Sequence, residues 1–171
     1  DEETQYNVDL LDKLIEIDAT HKHYYTDLKS DFRIRSQYLS SLSTISFSLP
    51  SAHLTRIDYL SKCPEQLVDR IEHVNLSNNE IRFIPRLKNM SGVQTLNLSS
   101  NQIEFVENLR QFPHLKELDL SNNKIARLND EDGPLSESVT RVRLANNPIA
   151  QSVSSTDQLT RFFPNAEIVL E

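Results

Sequence analysis

The stretch Val93-Gln94-Thr95-Leu96-Asn97-Leu98-Ser99-Ser100-Asn101-Gln102-Ile103 is followed by Leu115-Lys116-Glu117-Leu118-Asp119-Leu120-Ser121-Asn122-Asn123-Lys124-Ile125. Both read apolar-x-x-apolar-x-Leu-x-x-Asn-x-Ile. The same frame opens at Ile71, with Val74, Leu76, Asn79 and Ile81, and at Val139, with Val142, Leu144, Asn147 and Ile149. Asn79, Asn101, Asn123 and Asn147 stand 22, 22 and 24 residues apart. Self-similarity at a fixed period in this range marks a chain built by stacking one small unit.

The physics of each position is readable. Val74 and Leu76 alternate along a short strand, so both face a core while Asn75 faces out. The repeated asparagine lies where the chain leaves the strand, and its amide can satisfy backbone groups of adjacent turns. Leaving such a buried group unmet costs on the order of 1–3 kcal/mol. Between strands, apolar residues recur every three positions: Ile81, Ile84, Leu87, Met90, Val93, then Ile103, Val106, Leu109, Phe112, Leu115. A period of three suits a 3₁₀ or irregular return. These features define an α/β repeat, a leucine-rich-repeat solenoid of about five short repeats of the 22-residue class with parallel strands.

The ends of the stack are irregular, as terminal repeats must be to close an apolar core. Phe47 and Leu49 fit a degenerate first strand, with Ala52 in place of asparagine and Leu54 at the last apolar site. The longer gap to Asn79 leaves room for a short helix near Pro64 to Val68. The fourth return carries an acidic turn, Asn129-Asp130-Glu131-Asp132-Gly133-Pro134, and Phe162 to Leu170 reads as a closing strand. The repeat domain spans 43–171, and residues 1–42 form a separate unit.

Bulk properties narrow the function. The net charge of −7 argues against nucleic acid as a partner, because phosphate binding needs a basic face. The low apolar share, 37%, suits an elongated array in which each unit buries only a strip. No apolar run is long enough to span a membrane, and the acidic first residues do not resemble a signal peptide. With one cysteine, Cys63, no internal disulfide can seal the ends, which favours the reducing cytosol or nucleus, with a cytoplasmic setting the expectation. Glycosylation-type sequons begin at Asn75, Asn89 and Asn97, and repeat consensus accounts for two of them.

Catalytic and metal chemistry finds little support. His21 and His23, two apart, fall on opposite sides of a helix, whereas shared metal ligation wants three or four. Cys63 has no histidine near it in sequence and reads as a structural thiol. The acidic turn fails as a calcium loop: setting Gly133 sixth puts Leu128 first and Val139 twelfth, where carboxylates are required. With two glycines there is no phosphate-cradling loop. The outward strand positions remain. One column runs Ser48, Asn75, Asn97, Asp119, Arg143; its neighbour runs Ser46, His73, Thr95, Glu117, Arg141. Glu117 and Asp119 thus face Arg141 and Arg143 as lateral ion pairs, or as a polar docking surface that lacks aromatic anchors. Its candidate binding residues are His73, Asn75, Asn97, Glu117, Asp119, Arg141 and Arg143.

Residues 1–42 read as a helical hairpin. Tyr6, Leu10, Leu11, Leu14, Ile15 and Ile17 form one apolar stripe, Asp18 and Thr20 offer helix-start chemistry, and Tyr25, Leu28, Phe32 and Leu39 mark a second face. The run Leu11-Asp12-Lys13-Leu14-Ile15-Glu16-Ile17-Asp18 through His23-Tyr24-Tyr25-Thr26-Asp27-Leu28 resembles the last helical repeat of protein prenyltransferase alpha subunits. Followed by leucine-rich repeats and by Phe163-Pro164 before a last strand, it is similar to the C-terminal part of Rab geranylgeranyltransferase alpha subunits.

That resemblance implies membership of an enzyme complex that transfers geranylgeranyl groups to C-terminal cysteines of Rab GTPases. The zinc of the parent complex would sit mainly on the beta subunit. The beta subunit, the Rab protein and its escort would be met through the helical domain upstream. None of the family's catalytic positions maps here, so this segment would hold no cofactor or catalytic residue, and the repeats would be an interaction or stabilising module. The repeats alone fit equally a free-standing intracellular adaptor or regulatory subunit.

Overall fold

The computed structural model describes residues 45–48, 55, 57, 71–87, 90–128, 133–152 and 156–171. The expected hairpin of 1–42, the helix near Pro64, Leu49, Ala52, Leu54, His21, His23, Cys63, Asn89 and residues 129–132 of the acidic turn lie outside the described residues. Six strands form one parallel sheet in strict chain order: β1 Ile45–Ser48, β2 Ile71–Asn75, β3 Thr95–Asn97, β4 Glu117–Asp119, β5 Arg141–Arg143 and β6 Glu167–Val169. Each strand pairs with the next in parallel, and Val74, Leu96, Leu118, Val142 and Ile168 fall in one register row. The fold is a leucine-rich-repeat stack.

Three-residue strands cannot stand alone, so each depends on neighbours and on an apolar face. The frame residues supply that face. Ile71, Leu76, Ile81, Val93, Leu98, Ile103, Leu115, Leu120, Ile125, Val139, Val142 and Leu144 are completely buried. Full burial of one such side chain stabilises by about 1.5–3 kcal/mol. The period-three residues of the returns join the same core: Ile84, Met90, Leu109 and Phe112 are buried, and Leu87 and Val106 pack against it.

The asparagine ladder couples the turns. Asn101 Nδ2 donates to the carbonyls of Leu98 (3.0 Å) and Ser99 (3.2 Å) in its own turn and of Leu76 (3.0 Å) in the previous one. Its Oδ1 accepts from Ile81 N at 3.0 Å. Asn123 repeats this with Leu120, Ser121, Leu98 and Ile103, and Asn147 with Leu144, Ala145, Leu120 and Ile125. Asn79 donates to Leu76 and Ser77. All four are buried.

The residue just before each ladder asparagine turns the chain through the left-handed region: Asn78 (φ 56), Ser100 (φ 55), Asn122 (φ 57) and Asn146 (φ 55). Asparagine tolerates that conformation better than other residues with a Cβ. Three repeats use it, and Ser100 is the exception.

Returns lack a sheet to satisfy their backbone, and side chains from the following repeat do so instead. Asn108 Nδ2 donates to Ile84 O (2.7 Å), Gln111 Nε2 donates to Pro85 O (2.8 Å), and Gln111 Oε1 accepts from Leu87 N (2.7 Å). Leu109–Gln111 forms a short 3₁₀ turn. The return after Asn147 differs from the irregular path of the others. Pro148–Ser152 is a helix, α1, because proline's fixed φ suits the first helical position and its missing N–H needs no partner there. Phe162 and Phe163 then close the core before β6.

Asn101→Leu strips hydrogen bonds from Ile81 N, Leu76 O and Leu98 O together. It is expected to lower the unfolding free energy by about 3 kcal/mol or more in urea titration, against ~0.5 or less for Gln102→Ala. Ser100→Asn is expected to act oppositely, stabilising by on the order of 0.5 kcal/mol because it fits the left-handed turn. A lowered melting temperature for that variant would contradict the account.

Candidate functional site

Outward strand positions form two columns across the sheet. Register pairs Ser46 with His73, His73 with Thr95, Thr95 with Glu117, Glu117 with Arg141, and Arg141 with Glu167. The second column runs Ser48, Asn75, Asn97, Asp119, Arg143 and Val169. In this fold the strands line the inner, concave side of the solenoid. All seven candidate residues therefore share one face.

Their local chemistry divides them. Asn75 Oδ1 accepts from Ser77 N at 3.1 Å. Asn97 Oδ1 accepts from Ser99 N (3.0 Å) and Ser99 Oγ (2.7 Å). Asp119 Oδ1 accepts from Ser121 N (3.0 Å) and Ser121 Oγ (2.6 Å). The side chain is thus folding its own chain into a turn two residues on. This gives the two described sequon-like triplets, Asn75-Leu76-Ser77 and Asn97-Leu98-Ser99, a structural reason to exist. In the next repeat Arg143 and Ala145 replace the Asx–Ser pair, so Arg143 is released from turn duty and stands exposed.

The other column is linked sideways. His73 Nδ1 and Thr95 Oγ1 share a hydrogen bond of 2.9 Å. Arg141 Nε lies 3.9 Å from Glu167 Oε2, and that nitrogen is buried without a hydrogen-bond partner. Arg141 is thus drawn toward β6, and Glu167 joins the column that the sequence frame ended at Arg141. Among the described residues, the lateral pairs Glu117–Arg141 and Asp119–Arg143 do not close to ion-pair distance; register neighbours on parallel strands need not meet at their charged tips. Such exposed pairs carry ~0–1 kcal/mol in any case. Thr95, Asn97, Glu117, Asp119, Arg141 and Arg143 line a shallow depression of about 240 Å³.

Among the described residues no group of three or more His, Cys, Asp and Glu side chains could hold a metal ion. No helix among them is long and apolar enough to cross a membrane.

Comparison with known proteins agrees with this architecture. A family profile described as leucine-rich repeats in two copies matches residues 91–134. No curated protein sequence matches the chain. Among solved structures, a chain from the Drosophila melanogaster SNF/U2A′ complex superposes with a TM-score of 0.62 at 21% identity, covering 74% of this chain and 73% of that one. The leucine-rich-repeat domain of a Shigella effector gives 0.52 at 19% identity, over 85% of this chain and 55% of its own. A leucine-rich-repeat protein of Leptospira interrogans gives 0.50 at 21% identity, over 79% and 38%. At these identities the likeness is one of fold.

Asp119→Asn keeps the turn-forming acceptor and removes the charge, so its melting temperature is expected to stay near wild type. Asp119→Ala loses the acceptor and is expected to cost about 1 kcal/mol. Equal stability of the two variants would remove the turn role.

Proposed function

We propose that the repeats are a protein-binding module whose contact face is the strand side, centred on β4 and β5. The observation that carries this reading is the segregation of charge there. Glu117 and Asp119 occupy one strand, and Arg141 and Arg143 occupy the next, in register. Three consecutive repeats use the second column for turn formation or its asparagine equivalent. The fourth gives that up, and Arg143 is left available to a partner. Complementary charge on a partner fixes orientation and speeds encounter more than it adds affinity.

Within that reading the chain is the C-terminal region of a Rab geranylgeranyltransferase alpha subunit. Support comes from the sequence Leu11 to Leu28 joined directly to repeats. Prenyl transfer then belongs to the parent complex, with its zinc on the beta subunit. This segment contributes contacts and stability in the cytoplasm, not reacting groups. The beta subunit and the Rab–escort pair are engaged by helices preceding the repeats. The Drosophila structure of similar fold comes from a complex, which fits a role in assembly.

Two measurements test the proposal. The full chain with its upstream sequence, co-expressed with a beta-type prenyltransferase subunit, is expected to co-elute with it on size exclusion. Failure to associate would leave the free-standing adaptor as the better reading. Arg141→Gln with Arg143→Gln is expected to weaken binding of the repeats' partner about tenfold or more while the melting temperature stays near wild type. Unchanged binding would remove the strand face as the contact surface.

A further inference from the structure

The strand face lacks aromatic anchors, and the return-segment side holds them. Phe105 is 59% exposed and Phe83 44%, the large apolar side chains that the core leaves out among the described residues. They occupy the same repeat position, two residues after Ile103 and Ile81, and Arg127 takes that position after Ile125. The exposed surface of these rings gains nothing for folding. Aromatic and arginine side chains are the types enriched where proteins bind one another.

Phe105 also lines a groove of about 990 Å³ between successive returns. Among the described residues that line it, the cationic groups are Arg86, Arg110 and Arg127, and the one carboxylate is Glu107. Two of the guanidiniums are held in place: Arg86 Nε donates to Asn108 Oδ1 (3.3 Å), and Arg110 Nη2 donates to Pro134 O (3.2 Å). A cationic groove is unusual on a chain of net charge −7. Leu109, Val106 and Leu135 give it an apolar floor.

We infer that this groove is a second docking site, separate from the strand face, for an acidic segment of a partner protein that inserts an apolar side chain beside Phe105. Carboxylates of the segment pair with Arg86 and Arg127, where the planar guanidinium matches the carboxylate fork. The anchor supplies the desolvated contact that the strand face cannot.

The probe is a fluorescein-labelled eight-residue peptide of aspartate and glutamate with one central phenylalanine, titrated by anisotropy against the full chain. Saturable binding is expected, weakened about fivefold or more by Phe105→Ala, by Arg127→Glu and by loss of the peptide's phenylalanine, and falling with added salt. Arg143→Glu is expected to leave it unchanged, which separates this groove from the strand face. Circular dichroism melts confirm that each variant folds.

Three results would overturn the assignment. The first is no binding by the wild-type chain. The second is equal binding of a lysine-for-carboxylate peptide. The third is binding seen only after Asp130→Asn, Glu131→Gln and Asp132→Asn, which would give the groove to the chain's own acidic segment.

Discussion

Among the described residues, the turns of Asn101, Asn123 and Asn147 are each tied to the one before by a buried asparagine. Asn101 binds Leu98 O in its own turn while bridging Leu76 O and Ile81 N in the preceding one. Asn123 and Asn147 do the same farther along. No hydrophobic residue of similar size could serve, because the groups concerned are backbone donors and acceptors already shut away from water. Strands of three residues, irregular returns and exposed surface columns all depend on that link. The bond is specific in geometry, so the spacing between asparagines sets the repeat length.

Once the stack exists, its surface positions are free to differ in purpose. The second outward column spends Asn75, Asn97 and Asp119 on turns, each using Oδ1 to hold the serine two residues ahead. At the fourth repeat, arginine and alanine replace the pair. The turn still forms there because the asparagine ladder, the left-handed Asn146 and the proline opening of α1 already direct the chain. Local redundancy is what permits a guanidinium at this point of the inner face.

The same logic separates the two sides of the solenoid. Strand positions are polar, and only His73 with Thr95 and Arg141 with Glu167 are linked sideways among the described residues, which suits the face to orienting a partner. Return positions carry aromatic and cationic side chains over an apolar floor, suited to gripping one. Repeat proteins gather binding surface by presenting one position of the unit many times over.

The sequence by itself determined the repeat. The spacing of Asn79, Asn101, Asn123 and Asn147, the alternation around Leu76, Leu98, Leu120 and Leu144, and the period of three between strands dictate parallel strands in chain order. Those signals are legible because each unit repeats the same demand for burial. The register that gathers His73, Asn75, Asn97, Glu117, Asp119, Arg141 and Arg143 on one face follows from the same frame.

Only the tertiary structure decided what these side chains do. Asn75, Asn97 and Asp119 stand at outward strand positions yet serve their own turns, and Arg141 turns to Glu167, residues far apart in the chain. Asn108 and Gln111 satisfy the return of the preceding repeat, and Phe105 lines a groove. The physical reason is that hydrogen-bond partners and exposure depend on which turn lies against which. A sequence period shows that turns will stack, but not where each polar tip ends.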